Sequence, residues 1–275
     1  MTTTDQYIRH WLEHLPPISL DEMSGIKLMN RTDTKFVTSK KKLAGLLELA
    51  QGKYFAQQIG EQRIANYRTV YWDTPGHRFF LEHHNARAPR QKIRVRTYLD
   101  SDLTFLEIKT KNNHGRTKKK RITVPDHDRS HIVEAGGSDF TAQLTGVTFT
   151  DIDPTVQNRF QRITLVNRGK TERLTIDFNV EFHNFETDAD AGTGDLVIIE
   201  LKRDGNVDSP VLDILRELRI KASGFSKYCI GSVMTNGALK NNLFKEKLVR
   251  IGKYSGYPFA PMEKSEDGNN ERMRN

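Results

Sequence analysis

The 275 residues carry 43 Lys and Arg against 35 Asp and Glu, a formal charge of +8, with 36% hydrophobic residues and a mean hydropathy of −0.64. That length and patterning suit one large or two small folded units and exclude a wholly disordered chain. The single cysteine, Cys229, excludes an intrachain disulfide framework and any multi-cysteine zinc site. No apolar run reaches the ~18 residues of a spanning helix and no signal-peptide core follows Met1, so the expected compartment is the cytoplasm.

In chain order, Ile8, Trp11, Leu12 and Leu15 have helical spacing, with a stop at Pro16-Pro17. Ser39 can cap a helix with Leu43, Leu46, Leu47 and Ala50 on one side. Most of 60–205 reads as strands. Ser209-Pro210 then reads as N-cap and first residue of a helix with Val211, Leu212, Leu215 and Leu218, and Ser226 caps a shorter one through Ile230 and Val233. Leu239, Leu243, Phe244, Leu248 and Ile251 again have helical spacing, among Lys240, Lys245, Lys247, Arg250 and Lys253. This stretch either closes the wall of the fold or rests on an acidic membrane or membrane partner. A polar tail follows from Ser255. The expected organisation is an N-terminal helix (1–23), a main domain (24–236) and a basic helix with its tail (237–275).

The strands are more informative than the helices. In Lys92-Ile93-Arg94-Val95-Arg96 the cations share one face, because side chains alternate with period two. Glu107-Ile108-Lys109-Thr110-Lys111, Arg31-Thr32-Asp33-Thr34-Lys35 and the Val197–Lys202 stretch repeat the pattern. The ten residues Arg173 to Phe182 alternate strictly. An ordinary sheet would turn these charged faces to water. A closed barrel would turn them inward, under helices packed on its apolar outer face. Pairing of cations with carboxylates on the same faces favours the barrel.

The positive charge is also local. Twelve Lys and Arg and three acids lie between Arg87 and Arg121, so the rest of the chain nets about −1. Such a field points to an anionic partner. Nucleic acid is disfavoured, because the residues interleaved at 93, 95 and 108 are Ile or Val rather than stacking aromatics. Crowded cations repel by ~4 kcal/mol for a like pair 4 Å apart at an effective dielectric of 20, which makes an anion part of any inward-facing arrangement. Polyphosphate suits multidentate Arg and Lys, and a metal bridging phosphates needs only one or two carboxylates, here Glu107 and Glu200. Lys227, in the first turn of a helix, opposes the dipole unless both face a phosphate.

Other fragments lack their context. Gly169-Lys170-Thr171 has Thr164 where a P-loop needs glycine, and Gly192-Thr193-Gly194 lacks a third glycine. Ser226 lacks the flanking glycines of a nucleophile elbow. His83-His84 reads as a surface pair, and Asp151-Ile152-Asp153 as a loop.

Together, Asn30-Arg31-Thr32-Asp33-Thr34-Lys35-Phe36, Arg94-x-Arg96, Glu107-x-Lys109, Phe160-Gln161-Arg162, Arg173-x-x-x-Asp177, Glu200-x-Lys202 and Phe225-Ser226-Lys227-Tyr228 resemble the VTC (vacuolar transporter chaperone) domain. That family belongs to the CYTH, or triphosphate tunnel metalloenzyme, superfamily, and the resemblance spans about residues 24–236. It implies an α+β fold: a closed antiparallel β-barrel tunnel with a basic interior and helices outside. It implies a polyphosphate polymerase that transfers the γ-phosphate of ATP to inorganic polyphosphate, with an inorganic or nucleoside triphosphatase or a non-catalytic binding module as alternatives. By position it assigns Lys35, Arg94, Arg96, Lys109, Arg162, Arg173 and Lys227 to catalysis. Lys119, Lys202, Ser226 and Arg31 are assigned to phosphate binding. Glu200 matches the family's metal-binding glutamate, with Mn²⁺ or Mg²⁺ as the expected ion, and Glu107 stays the second candidate ligand from the charge pattern above. Where other tunnel enzymes carry Glu-x-Glu-x-Lys, this chain has Arg31-Thr32-Asp33-Thr34-Lys35, one metal ligand fewer. Eukaryotic relatives work in membrane complexes, which makes a membrane-protein partner an expectation.

Overall fold

The computed structural model describes residues 2–26, 31–114, 116–205 and 207–255, and of Arg31 and Ser255 only the backbone. Asn30 and the expected polar tail beyond Ser255 lie outside the described residues. The chain opens with α1 (Thr3–His14), β1 (Pro17–Ile18), α2 (Leu20–Ser24), β2 (Arg31–Ser39) and α3 (Lys40–Leu49). It continues through β3 (Tyr54–Gln57), β4 (Ala65–Asp73), α4 (Arg78–His84), β5 (Arg90–Tyr98), β6 (Leu103–Lys111) and β7 (Thr117–Thr123). Then come α5 (Arg129–Glu134), α6 (Gly137–Thr145), β8 (Asp153–Asn167), β9 (Glu172–Asn184), β10 (Asp190–Gly192) and β11 (Leu196–Asp204). The last elements are α7 (Pro210–Glu217), α8 (Lys227–Thr235) and α9 (Lys245–Ser255).

The main sheet runs β2-β11-β9-β8-β4-β5-β6-β7, each neighbouring pair antiparallel. Lys109 on β6 feels the charges of Glu200 and Lys202 on β11, five strands away in this order. A flat sheet would hold those strands ~24 Å apart at 4.8 Å per strand. The sheet is therefore curled, with its cationic faces looking at one another. It is not the closed barrel expected: β2 and β7 end the path and do not pair with each other among the described residues. The architecture is a half-barrel with helices.

Two apolar cores lie on the outer face. The helices α1, α3 and α7 bring Ile8, Leu12, Leu43, Leu47, Val211 and Leu215 onto Ile163, Leu174, Ile176, Val197, Ile199 and Leu201. Ile132 of α5 joins Phe149, Val70, Trp72, Ile93, Val95, Leu106 and Ile108 in the second, with α6 residues packed on it. Ser39 caps α3 as its sequence suggests, accepting from the Lys42 N–H at 3.4 Å. Ser209 precedes α7 without making a side-chain cap.

A third core fills one end of the inner face and comes from a break in β9. Thr175 and Asp177 face inward, but Asn179 has φ +51° and the β8–β9 register shifts between Arg159 and Gln161. Asn tolerates this left-handed backbone better than most residues. Beyond the bulge Val180 and Phe182 turn inward and join Tyr67, Tyr71, Phe160 and Ile198 under Tyr228, Val233, Phe244, Leu248 and Ile251. The uninterrupted alternation expected over Arg173 to Phe182 is thus broken in the structure. The bulge converts a charged inner face into an apolar seat for α8 and α9. Gly231 is what lets α8 sit there, since a Cβ would lie 2.4 Å from the Phe182 ring.

Helices α4, α5 and α6 interrupt the 60–205 stretch expected to be mostly strand. Asp73, fully buried, accepts the N–H groups of Phe79 and Phe80, so α4 is capped by a residue outside its own first turn. His83-His84 is not a surface pair. His84 is buried against Phe244, and His83 Nε2 lies 3.0 Å from the Gln91 carbonyl, burial pulling its pKa down to about 2.

Candidate active site

Strand alternation delivers most of the site. On β5, Lys92, Arg94 and Arg96 point inward while Ile93 and Val95 enter the outer core. The neighbouring β6 places Glu107 directly opposite Arg94, and Lys109 opposite Lys92. Arg94 Nε donates to Glu107 Oε2 at 2.8 Å, and Lys119 Nζ, from β7, to Oε1 at 2.9 Å. Arg96 donates to Thr69 at 3.0 Å and stands 5.6 Å from the Tyr67 ring.

Across the cleft, Arg162 on β8 grips Asp177 on β9 with two bonds of 2.6 and 2.8 Å. The same carboxylate accepts from Lys227, the first residue of α8. On β11 and β2, Glu200 stands 3.3 Å from Lys202 and 3.6 Å from Lys35. Ser226 caps α8, accepting from the Cys229 N–H at 3.2 Å and from Lys92 Nζ at 2.8 Å. Arg173, opposite Lys202 in register, donates to the Met23 carbonyl at 3.3 Å, toward α2. Arg31 pairs with Asp204 in register, and its side chain lies outside the described residues.

Lys109 differs from its neighbours. Among the described residues it has no hydrogen bond or ion pair, and it stands amid Arg94, Arg96 and Lys202. The Arg94 guanidinium and burial push its pKa well below the ordinary lysine value. Thr175, opposite Glu200 on β9, is buried with no partner for its hydroxyl among the described residues.

The same competition runs through the site. Burial pulls Lys227 down to about 8 against the support of Asp177, with Arg162 pulling the same way. Burial would raise Glu107, Asp177 and Glu200, but the cations around them outweigh it and hold all three carboxyls below the usual range. For a divalent cation, no cluster of three or more His, Cys, Asp or Glu exists among the described residues. A metal bridging phosphates needs only one or two carboxylates. Glu200, about a fifth exposed, fits that need. Glu107, expected as a second ligand, is wholly buried with both oxygens held by Arg94 and Lys119.

Sequence reasoning misses Lys92 as a site residue, although it shares the i, i+2, i+4 spacing of Arg94 and Arg96. It gives Asp177 only as part of the Arg173-x-x-x-Asp177 motif, because its role as counter-charge to Arg162 and Lys227 requires the fold. The inward aromatics Tyr67 and Phe160, stacked 5.0 Å apart under Arg162 and Lys227, leave no period-two signature of their own.

The sequence pattern of the VTC domain matches residues 30–236. The chain belongs to the VTC domain family. Comparison with curated proteins by sequence gives no match. Among solved structures, this VTC domain is similar to HpAC1 from Hippeastrum, a candidate adenylyl cyclase described as having dominant triphosphatase activity, at 13% identity and a TM-score of 0.50. The match covers 76% of this chain and 97% of that one. A candidate adenylate cyclase from Bacillus halodurans matches at 13% identity and a TM-score of 0.48, over 72% and 96% of the two chains. The likeness is one of fold.

Proposed function

We propose that this VTC domain is a polyphosphate polymerase acting on ATP. The observation that carries the reading is the gathering of Lys109, which has no hydrogen bond or ion pair among the described residues, with Arg94, Arg96 and Lys202: an anion of several charges would relieve their repulsion and keep Lys109 protonated. In the reaction a terminal oxygen of the polyphosphate chain attacks the γ-phosphorus in line. The bond from that phosphorus to the β,γ-bridging oxygen breaks, and ADP leaves with its electron pair. Arg94, Arg96, Lys109, Arg162 and Lys227 neutralise the transferring group, while Lys35, Lys202 and Ser226 orient the phosphates on either side. A Mn²⁺ or Mg²⁺ ion held by Glu200 would add further positive charge at the phosphate oxygens.

Transfer is favoured over hydrolysis by the state of the inward acids. Glu107, Asp177 and Glu200 are ionised and held by cations, which makes them weak bases for activating water. An attacking phosphate oxygen is already ionised at neutral pH and needs no base. The triphosphatase reading draws on the activity named for the Hippeastrum protein of similar fold. Incubation with ATP and Mn²⁺ separates the two. A polyphosphate ladder on a stained gel, with ADP and little free phosphate, is expected. Stoichiometric free phosphate without a ladder would make the protein a triphosphatase, and neither product would remove catalysis on ATP from the reading.

A further inference from the structure

Tyr71, on β4, is a buried phenol with no part in the phosphate contacts or carboxylate pairs described above. It faces inward directly opposite Arg94 in register, and like Arg94 and Arg96 it is buried. Its ring is held in place. It stacks on Tyr228 at 4.8 Å, Val156 stands opposite it on β8, and Thr155 donates to its backbone carbonyl at 3.2 Å. The hydroxyl is thereby fixed in the field of Lys92, Arg94 and Arg96 from β5 and of Lys227 from α8, and Arg94 donates a hydrogen bond to it. Two other buried phenols are satisfied differently: Tyr54 donates to Glu172 and Tyr228 to Asp73. Around Tyr71 stand charged Lys and Arg, which have no lone pair to accept with. Its O–H is therefore an inward donor without an acceptor among the charged groups that surround it.

We propose that Tyr71 is a phosphate-contact residue, its O–H donating to a non-bridging phosphate oxygen lodged among Lys92, Arg94, Arg96 and Lys227. The contact rests on the phosphate reading above and adds to it an uncharged donor from β4, a strand that otherwise contributes none. A phosphate oxygen is the acceptor that the four cations cannot be. With the anion absent, the phenol escapes an unmet hydrogen bond by giving its proton to solvent. Burial alone would raise its pKa, but Arg94, Arg96, Lys92 and Lys227 outweigh burial and hold it below the ordinary phenol value. In Tyr67 and Tyr228 burial prevails and the shift is upward. Phosphate binding and the Tyr71 proton are consequently linked. Above the lowered pKa the empty site holds a phenolate, and an arriving polyanion drives the proton back, since like charges repel and its oxygen takes the O–H.

The test follows the ultraviolet absorbance of tyrosinate through a pH titration of the full chain, with and without inorganic triphosphate, beside binding isotherms for the chain and for Tyr71→Phe. One of the eight tyrosines is expected to ionise below the ordinary value of about 10, and triphosphate to raise that ionisation by about one pH unit or more. Lysines that titrate in the same range leave no such absorbance. Tyr71→Phe keeps the ring on Tyr228 and should lack the early-ionising tyrosine. It is expected to bind triphosphate about tenfold more weakly at neutral pH, the low end for a hydrogen bond to a charged group. Binding within twofold of the unsubstituted chain, or a triphosphate-sensitive tyrosine that persists in the variant, would overturn the contact and leave the phosphate site standing. Should the variant not fold, the unsubstituted chain decides alone: tyrosine ionisation that bound triphosphate does not shift overturns the contact. Failure of the unsubstituted chain to bind triphosphate would overturn the phosphate reading and the contact with it.

Discussion

Arg94 and Glu107 form a buried pair whose partners cannot be separated cheaply. Removing one member of such a pair typically costs 3–5 kcal/mol, because the other charge remains buried. Glu107→Gln is therefore expected to lower unfolding free energy by about 3 kcal/mol in denaturant titration, with triphosphate restoring part of it. In the unsubstituted chain the contribution of Glu107 is present above the ordinary carboxylate range and is lost as pH falls through its depressed folded pKa. Lys227 has linkage of the same sign in a higher pH window, but there it is loss of the charge that stabilises. Its folded pKa, about 8, lies below that of an unfolded lysine, so the ligand-free fold gains stability as pH rises from about 8 toward 10. Around that folded pKa it loses the charge that holds phosphate. Triphosphate affinity should thus fall between pH 7 and 9, and Lys227→Arg should abolish most of that fall in a pH series of binding isotherms.

At the scale of elements, α8 links the apolar plug to the phosphate site. Its N-terminus carries Ser226 and Lys227, its middle packs on Phe182, and Tyr228 donates to the buried Asp73 that also caps α4. The position of Lys227 consequently depends on how closely α8 approaches β9. Gly231→Ala is expected to destabilise the fold by about 1–3 kcal/mol, the usual cost of overpacking, and to weaken triphosphate binding although residue 231 lies outside the phosphate site. Melting temperature and binding isotherms of the same variant check both. In α9 and the turn just before it, Phe244, Leu248 and Ile251 are buried in the plug, whereas Leu243 and Val249 are 58% and 56% exposed. Among the described residues no helix is long and apolar enough to cross a membrane.

For the whole molecule, the curled sheet gathers cations from β2, β5, β6, β7, β8, β9 and β11 and from α8 around a few carboxylates. Self-repulsion opposes this gathering, and an anion relieves it. Triphosphate at 100 times its dissociation constant should stabilise the fold by ~2.7 kcal/mol, read as a rise in melting temperature. The rise should shrink with salt at fixed triphosphate, while uncharged polymers of similar size should give none.

The strand faces and the inward set are largely legible in the amino-acid sequence, because period-two alternation in Lys92–Arg96, Glu107–Lys111 and Val197–Lys202 dictates which side chains share a face. The helices with local caps, α3 behind Ser39 and α8 behind Ser226, are legible for the same reason: their signals lie within one turn. What lies beyond the primary structure is long-range. The bulge at Asn179 depends on pairing with β8, and without it the inner face would read as charged throughout. The cap of α4 comes from Asp73, several residues upstream, and the counter-charge of Lys227 comes from Asp177, fifty residues away. Closure is also undetermined by sequence, since alternation is identical in a closed barrel and in an open curl; only the pairing of β2 and β7 could distinguish them, and among the described residues they end the sheet unpaired with each other. Local chemistry is written in neighbouring residues, whereas register shifts, caps from a distance and the meeting of faces depend on which segments the fold brings together.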